Sequence, residues 1–166
     1  MLEAIKTRQS IRKYQDKAVE MEKIDIILEA AMNAPTARNT QEWEFMVITN
    51  RDALDKMTEL SPYTTMMKEA PVAILVYANM QKAINHEYAL INCAAAIENL
   101  IIEATHLELG TCWCGIAPVD ERIEKFKQYF NLTDDQYPVG VVAIGYSNEK
   151  KPLINTYDAT KVKYFR

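Results

Sequence analysis

The feature that most constrains the fold is a helical pattern running from about Asn85 to Leu109. Apolar or small residues cover most of its circumference, with Glu87, Glu98, Glu103 and Glu108 interspersed. A helix that is apolar nearly all round is buried on more than one side. It is therefore expected to be a central helix that also meets a partner subunit, and its Ala94-Ala95-Ala96 run would let another helix approach closely. Two further helices are amphipathic. Met21, Ile24, Ile27, Leu28 and Ala31 recur at helical spacing, and Pro35 closes that helix by disfavouring helical geometry at Ala34. Val119, Ile123, Phe126 and Phe130 step by four, three and four. A polar helix begins near Asp52. Trp43–Ile48, Pro71–Tyr77 and Val139–Ile144 read as strands, the second and third apolar enough to be buried. Helices and strands alternate irregularly, so the class is α+β or α/β in three layers rather than a regular doubly wound fold. With 166 residues, 49% of them hydrophobic, and no repeat or Gly/Ser linker, residues 1–166 are expected to form one domain.

Charge and cysteine usage narrow the function. The net charge of −4 argues against a dedicated nucleic-acid binder. Residues 1–17 nevertheless hold five basic side chains against two acidic ones, a local +3 that suits a small anionic ligand better than a polymer. No run approaches the ~18 apolar residues of a membrane span, and the N-terminus lacks the apolar core of a signal peptide. Cys93, Cys112 and Cys114 form no CxxC pair, so a cytoplasmic, reduced setting is expected. Cys112 and Cys114 are expected to face opposite sides of a strand and to act as packing residues. His86 and His106 lie about 30 Å apart on one helix, at ~1.5 Å per residue, so they cannot share a metal. No G-x-S-x-G turn supports a hydrolase. With four glycines and no G-x-G-x-x-G element, a Rossmann dinucleotide site has no support either.

Three separated stretches carry the chemistry. Arg8-Gln9-Ser10-Ile11-Arg12-Lys13-Tyr14 offers guanidinium groups and a hydroxyl, which suit a phosphate or an electron-rich carbonyl edge. Ala34-Pro35-Thr36-Ala37-Arg38-Asn39-Thr40-Gln41-Glu42-Trp43 stops a helix and sets small and amide side chains in a loop. Leu109-Gly110-Thr111-Cys112-Trp113-Cys114-Gly115 brings backbone close to something flat, with Gly110 expected to end the long helix as glycine commonly does. In this order the three stretches resemble the FMN-dependent nitroreductase family, and the resemblance spans nearly the whole chain.

The resemblance implies a three-layer α+β fold with a central, mainly antiparallel sheet flanked by helices. It also implies a homodimer in which a C-terminal extension wraps the partner subunit and both subunits complete each FMN site. Carried over to this sequence, the first element (Arg8, Gln9, Ser10, Arg12) binds FMN. Arg8 pairs with the ribityl phosphate, Ser10 hydrogen-bonds close by, and Arg12 sits at the pyrimidine edge, where a cation stabilises the charge of the reduced ring. Pro35 and Thr36 touch the flavin of the other subunit, and Asn39 reaches toward its phosphate or ribityl chain. A backbone N–H of Cys114 or Gly115 meets flavin N5. Two positions depart from the family. Glu42 stands where a proline precedes the tryptophan, and the usual Lys or Arg pair after the last strand is replaced at the expected spacing by Ile154, Asn155 and Thr156. Lys150 or Lys151 is the nearest substitute, and Lys151 is taken as the candidate.

The activity implied is ping-pong transfer of reducing equivalents from NAD(P)H through FMN to a nitroaromatic or quinone, with no catalytic side chain and no metal. The rival is a flavin store or sensor without turnover, favoured by the incomplete phosphate site. Steady-state oxidation of reduced nicotinamide with a quinone separates the two.

Overall fold

The computed structural model describes all residues from Met1 to Arg166. Four strands, β1 (Trp43–Ile48), β2 (Val72–Asn79), β3 (Gly110–Gly115) and β4 (Gln136–Gly145), form one sheet in the order β1-β2-β4-β3. Every neighbouring pair is antiparallel. β2 and β4 occupy the middle, and alternate side chains of a strand enter opposite faces. Val72, Ile74, Val76 and Ala78 therefore join one core, while Ala73, Leu75 and Tyr77 join another.

Five helices cover the two faces: α1 (Glu3–Thr7), α2 (Met21–Met32), α3 (Arg51–Leu60), α4 (His86–His106) and α5 (Asp120–Phe130). Ile24, Ile27 and Ala31 of α2 pack with Ala89, Cys93, Ala96, Ile97, Leu100 and Ala104 of α4 on the first face. Leu54, Met57 and Leu60 of α3 pack with Ile123 and Phe126 of α5 on the second. The result is the expected three-layer α+β arrangement. The Asn99 side chain donates to Ala30 O at 3.1 Å, fixing α4 against α2. Tyr88 and Ile91 on α4 remain exposed, so one subunit does not cover this helix completely.

β4 starts three residues earlier than its apolar run indicates. Gly140 pairs with Val76 and Pro138 with Tyr77, which leaves Val139 as the extra residue of a bulge. Proline lacks the N–H a regular ladder needs, and the Val139 carbonyl instead accepts from both Ile116 and Ala117.

The end of α4 differs from expectation. No glycine adopts positive φ; Glu108 does, at 65°. Leu109 N donates to Ala104 O at 2.8 Å and Glu108 N to Thr105 O at 3.1 Å, the paired bonds of a Schellman motif. Gly110 is needed for space, since a Cβ there would lie 2.9 Å from the Ile11 side chain. Gly110→Ala should therefore destabilise the protein by about 1–3 kcal/mol through overpacking. Glu108→Gly should be neutral or stabilising within about 1 kcal/mol, because relief of the left-handed strain offsets the entropy that glycine adds to the unfolded chain. Chemical denaturation of both variants checks the assignment, and the opposite ranking would return the helix stop to Gly110.

Candidate active site at the edge of the sheet

β3 is an edge strand, and its register decides which backbone groups it presents. Ile116 N donates to Val139 O at 3.1 Å, continuing the β3–β4 ladder past Gly115. Antiparallel pairs alternate between bonded and non-bonded. Cys114 with Val141 and Cys112 with Ala143 are therefore bonded pairs, and Thr111, Trp113 and Gly115 turn their N–H and C=O groups outward. Outward groups find partners outside the sheet: Thr111 O accepts from Ile11 N at 2.8 Å, and Gly115 O accepts from Arg122 Nη1 at 3.2 Å. Of the two residues named from sequence, only Gly115 offers an outward N–H. The amide of Cys114 belongs to the ladder.

The segment carrying Arg8, Ser10 and Arg12 runs beside this edge. Ser10 bridges to Thr111 in parallel. Ile11 and Tyr14 are buried, with the Tyr14 hydroxyl donating to Ile11 O at 2.7 Å. In an extended chain residues two apart share a side, so the spacing of Arg8, Ser10 and Arg12 follows from the geometry. Three cavities line up here. The first, about 330 Å3, is bounded by Arg8, Ser10, Glu98, Thr111, Trp113 and Gly115. The second, about 470 Å3, has Arg8, Gln9, Ser10, Arg12 and Lys151 in its wall. The third, about 410 Å3, is lined by Arg12, Tyr63, Met66, Cys114, Gly115 and Arg122 among others. Shared residues join them into one belt around the edge of β3.

Lys151 reaches the belt despite its shifted position. Its Nζ donates to Ser10 O and lies 3.2 Å from Glu149 Oε1. The same carboxylate oxygen accepts from Arg12 N at 2.6 Å. The Arg12 amide, with Lys151 second, holds the Glu149 carboxyl below the usual range. Lys151 therefore brings a cation whose charge is shared with Glu149. Gln9 anchors the tail, its Nε2 donating to Pro152 O at 2.8 Å. Ile154 and Thr156 line the second cavity where the resemblance called for cations. Arg8 and Arg12 form no ion pair.

Pro35, Thr36 and Asn39 follow α2 and line none of the three cavities. Arg38, Asn39 and Gln41 all have positive φ, 57°, 55° and 47°. Completely buried Glu42 holds this loop: Asn92 Nδ2 donates to its Oε1 at 2.7 Å and Thr40 Oγ1 to its Oε2 at 2.6 Å. Asn92 Oδ1 in turn accepts from Ala37 N at 3.3 Å. The residue that departs from the family pattern thus ties the loop to α4.

The expectation for Cys112 and Cys114 is corrected. A strand's side-chain period is two, so residues i and i+2 share a face. Both thiols point into the second core, where Cys114 Sγ lies 3.7 Å from Met66 Sδ and donates to Tyr63 O at 3.1 Å. The neighbouring Cys114 thiol, with help from Arg12 and Lys151, favours the Cys112 thiolate and holds this thiol below its ordinary range. The nearby Cys112 thiol and burial push Cys114 up. Sequence reasoning also missed Thr111, Trp113, Glu98, Tyr63 and Arg122 as wall residues. Period two in β3 could have flagged the first two; only tertiary structure brings in the others.

This arrangement matches a known family. The Nitroreductase family profile covers residues 5–62 and 61–146, and the chain belongs to that family, a family of oxidoreductases. It is 38% identical to the "Putative NADH dehydrogenase/NAD(P)H nitroreductase" of Methanothermobacter thermautotrophicus, over 98% of this chain and 85% of that protein. The crystal structure of a "Putative NADH Oxidase" from Clostridium acetobutylicum superimposes with a TM-score of 0.94 at 40% identity, covering 98% of this chain and 99% of that one. An "FMN-dependent Nitroreductase" from Clostridium difficile R20291 gives a TM-score of 0.92 at 28% identity, over 100% and 99% of the two chains.

Ultraviolet titration of the folded protein should show one thiolate forming below the ordinary thiol range, absent in Cys112→Ser and moved upward in Arg12→Gln. The folded state then releases this proton more readily than the unfolded chain. Stability should rise as the pH passes from the lowered range of Cys112 to the ordinary thiol range, ~8.5. A titration showing no thiol below that range would remove the assignment.

Proposed function

We propose that residues 1–166 act as one unit that binds FMN along the belt and transfers reducing equivalents from NAD(P)H to a flat acceptor such as a nitroaromatic or quinone. The observation that carries this reading is the outward N–H of Gly115, set where the cavity of Arg8 and Ser10 meets the cavity of Arg12. A donor, a hydroxyl and two guanidinium groups without acidic partners fit a planar ring bearing a phosphate. Arg8 holds the phosphate, Ser10 hydrogen-bonds beside it, and Lys151 supplies a second, partly neutralised cation. Arg12 faces the pyrimidine edge and Gly115 N–H faces N5. When bound, FMN supplies the redox chemistry, accepting a hydride from reduced nicotinamide and returning electrons to the acceptor. The chain's own residues orient the ring and fix positive charge beside it, and none is needed as acid or base. With no second nucleotide site in the sequence, donor and acceptor use one slot in turn.

The second subunit enters for two reasons. Pro35, Thr36 and Asn39 do not reach the belt of their own subunit, in keeping with contact to the partner's. The tail beyond Pro152 leaves Leu153, Ile154, Tyr157, Tyr164 and Phe165 exposed, which is apolar surface in want of cover. A homodimer with each tail laid over its neighbour meets both. No helix is long and apolar enough to cross a membrane, and the three free cysteines suit a reducing cytoplasm.

The purified protein should bind FMN and show parallel-line kinetics with NAD(P)H and a quinone. Intersecting lines would remove the shared slot, and binding without turnover would favour the store or sensor. Arg8→Ala should weaken FMN roughly ten- to a hundred-fold, the equivalent of ~1.5–3 kcal/mol for a charged hydrogen bond, and leave riboflavin nearly unaffected. Equal losses for the two ligands would place Arg8 elsewhere.

Deleting residues 158–166 should weaken dimerisation and FMN retention together, read by sedimentation and flavin fluorescence. A truncated protein that stays dimeric and keeps FMN would show the tail to be dispensable.

A further inference from the structure

The third cavity holds a cation that the flavin reading leaves without a task. Arg122 sits in the first turn of α5, where the helix dipole disfavours positive charge. Asp120 and Glu121 adjoin it in sequence, yet its guanidinium pairs with neither. One of its donors goes to Gly115 O at 3.2 Å, and its Cζ lies 4.7 Å from the centroid of the Tyr63 ring. Tyr63 is itself 60% exposed. A guanidinium has five N–H donors, so most of the fork remains free. The cavity's cations are Arg12 and Arg122; no carboxylate lines it, and its other titratable groups are Tyr63 and the thiols of Cys112 and Cys114. In a chain of net charge −4, two guanidinium groups without ion pairs on one carboxylate-free cavity mark a place for an anion.

We propose that Arg122, backed by Tyr63, recognises an anionic group carried by the planar molecule that exchanges electrons at this site. The inference rests on the FMN reading for the identity of that site. Gly115 links the two: its N–H faces outward to the flavin position, and its carbonyl holds Arg122. A ring placed beside that N–H would carry its substituent to the guanidinium. A planar fork matches a carboxylate or phosphate in two parallel hydrogen bonds, and stacking on Tyr63 restrains it in advance. The anion has two possible sources: a carboxylate on the acceptor, or a phosphate of the nicotinamide donor. Sequence reading passed over Arg122 because it belongs to none of the three motifs.

The test compares 4-nitrobenzoate with its methyl ester, alike except for charge, on the FMN-loaded wild type, Arg122→Met and Arg122→Lys. If the acceptor supplies the anion, Arg122→Met should cut the preference for acid over ester in KM by roughly ten- to a hundred-fold. Arg122→Lys should recover part of it, through charge without the fork. If the donor supplies the anion, KM for NADH or NADPH should rise instead and both acceptors should respond alike. Dissociation constants from quenching of tryptophan fluorescence, with and without FMN, give a readout independent of turnover. An Arg122→Met variant unchanged in all of these would overturn the proposal and leave Arg122 as a cap on Gly115 O. Failure of the wild type to bind FMN would count against the cofactor reading. The fluorescence comparison of acid and ester would still decide the role of Arg122.

Discussion

The structure depends on how one sheet edge is finished. A β-sheet of order β1-β2-β4-β3 ends in two strands with free backbone groups, and bare edges invite unwanted pairing. At β3 the chain covers half of the edge with its own N-terminal segment, through Ile11 N and Thr111 O. The other half, at Trp113 and Gly115, is left for cavities. Everything chemical in the molecule gathers around that division. Arg8, Ser10 and Arg12 arrive because their segment does the covering, and Arg122 arrives because the next helix begins where the strand stops.

Charge is distributed to match. The basic excess of residues 1–17 is concentrated on the belt, and Glu149 tempers it by accepting from Arg12 N and pairing with Lys151. The tail thus brings one cation, Lys151, to the wall of the second cavity. Its pairing with Glu149 trades a strongly cationic pocket for a more neutral one, with Arg8 and Arg12 as the unpaired charges. The exposed ion pairs elsewhere, such as Lys125 with Glu121, are of the solvated kind that contributes little.

Much of the fold was legible because burial on one face writes itself into sequence period. The apolar steps of α2 and α5, the nearly all-round α4 and the two apolar central strands appear where their spacing indicates, except that β4 begins three residues earlier. Three things were misread or missed. The turn after α4 uses Glu108 in a left-handed conformation, and no local signal separates that from a turn made by Gly110. The facing of Cys112 and Cys114 was readable in principle, since period two settles it. Arg122 and Glu42 acquire meaning only from partners distant in sequence, Gly115 and Tyr63 for one, Asn92 for the other.

The loop held by Glu42 has a consequence for assembly. Left-handed geometry costs a non-glycine residue on the order of 1–2 kcal/mol, and this loop bears that cost at three positions within four residues. It bears it in a single subunit, because the buried carboxylate and Asn92 belong to the same chain as the loop. A surface already fixed gives up little conformational freedom when another body meets it. A partner that met this loop would dock on it more as a rigid body than by folding upon contact, with encounter rather than rearrangement setting the rate.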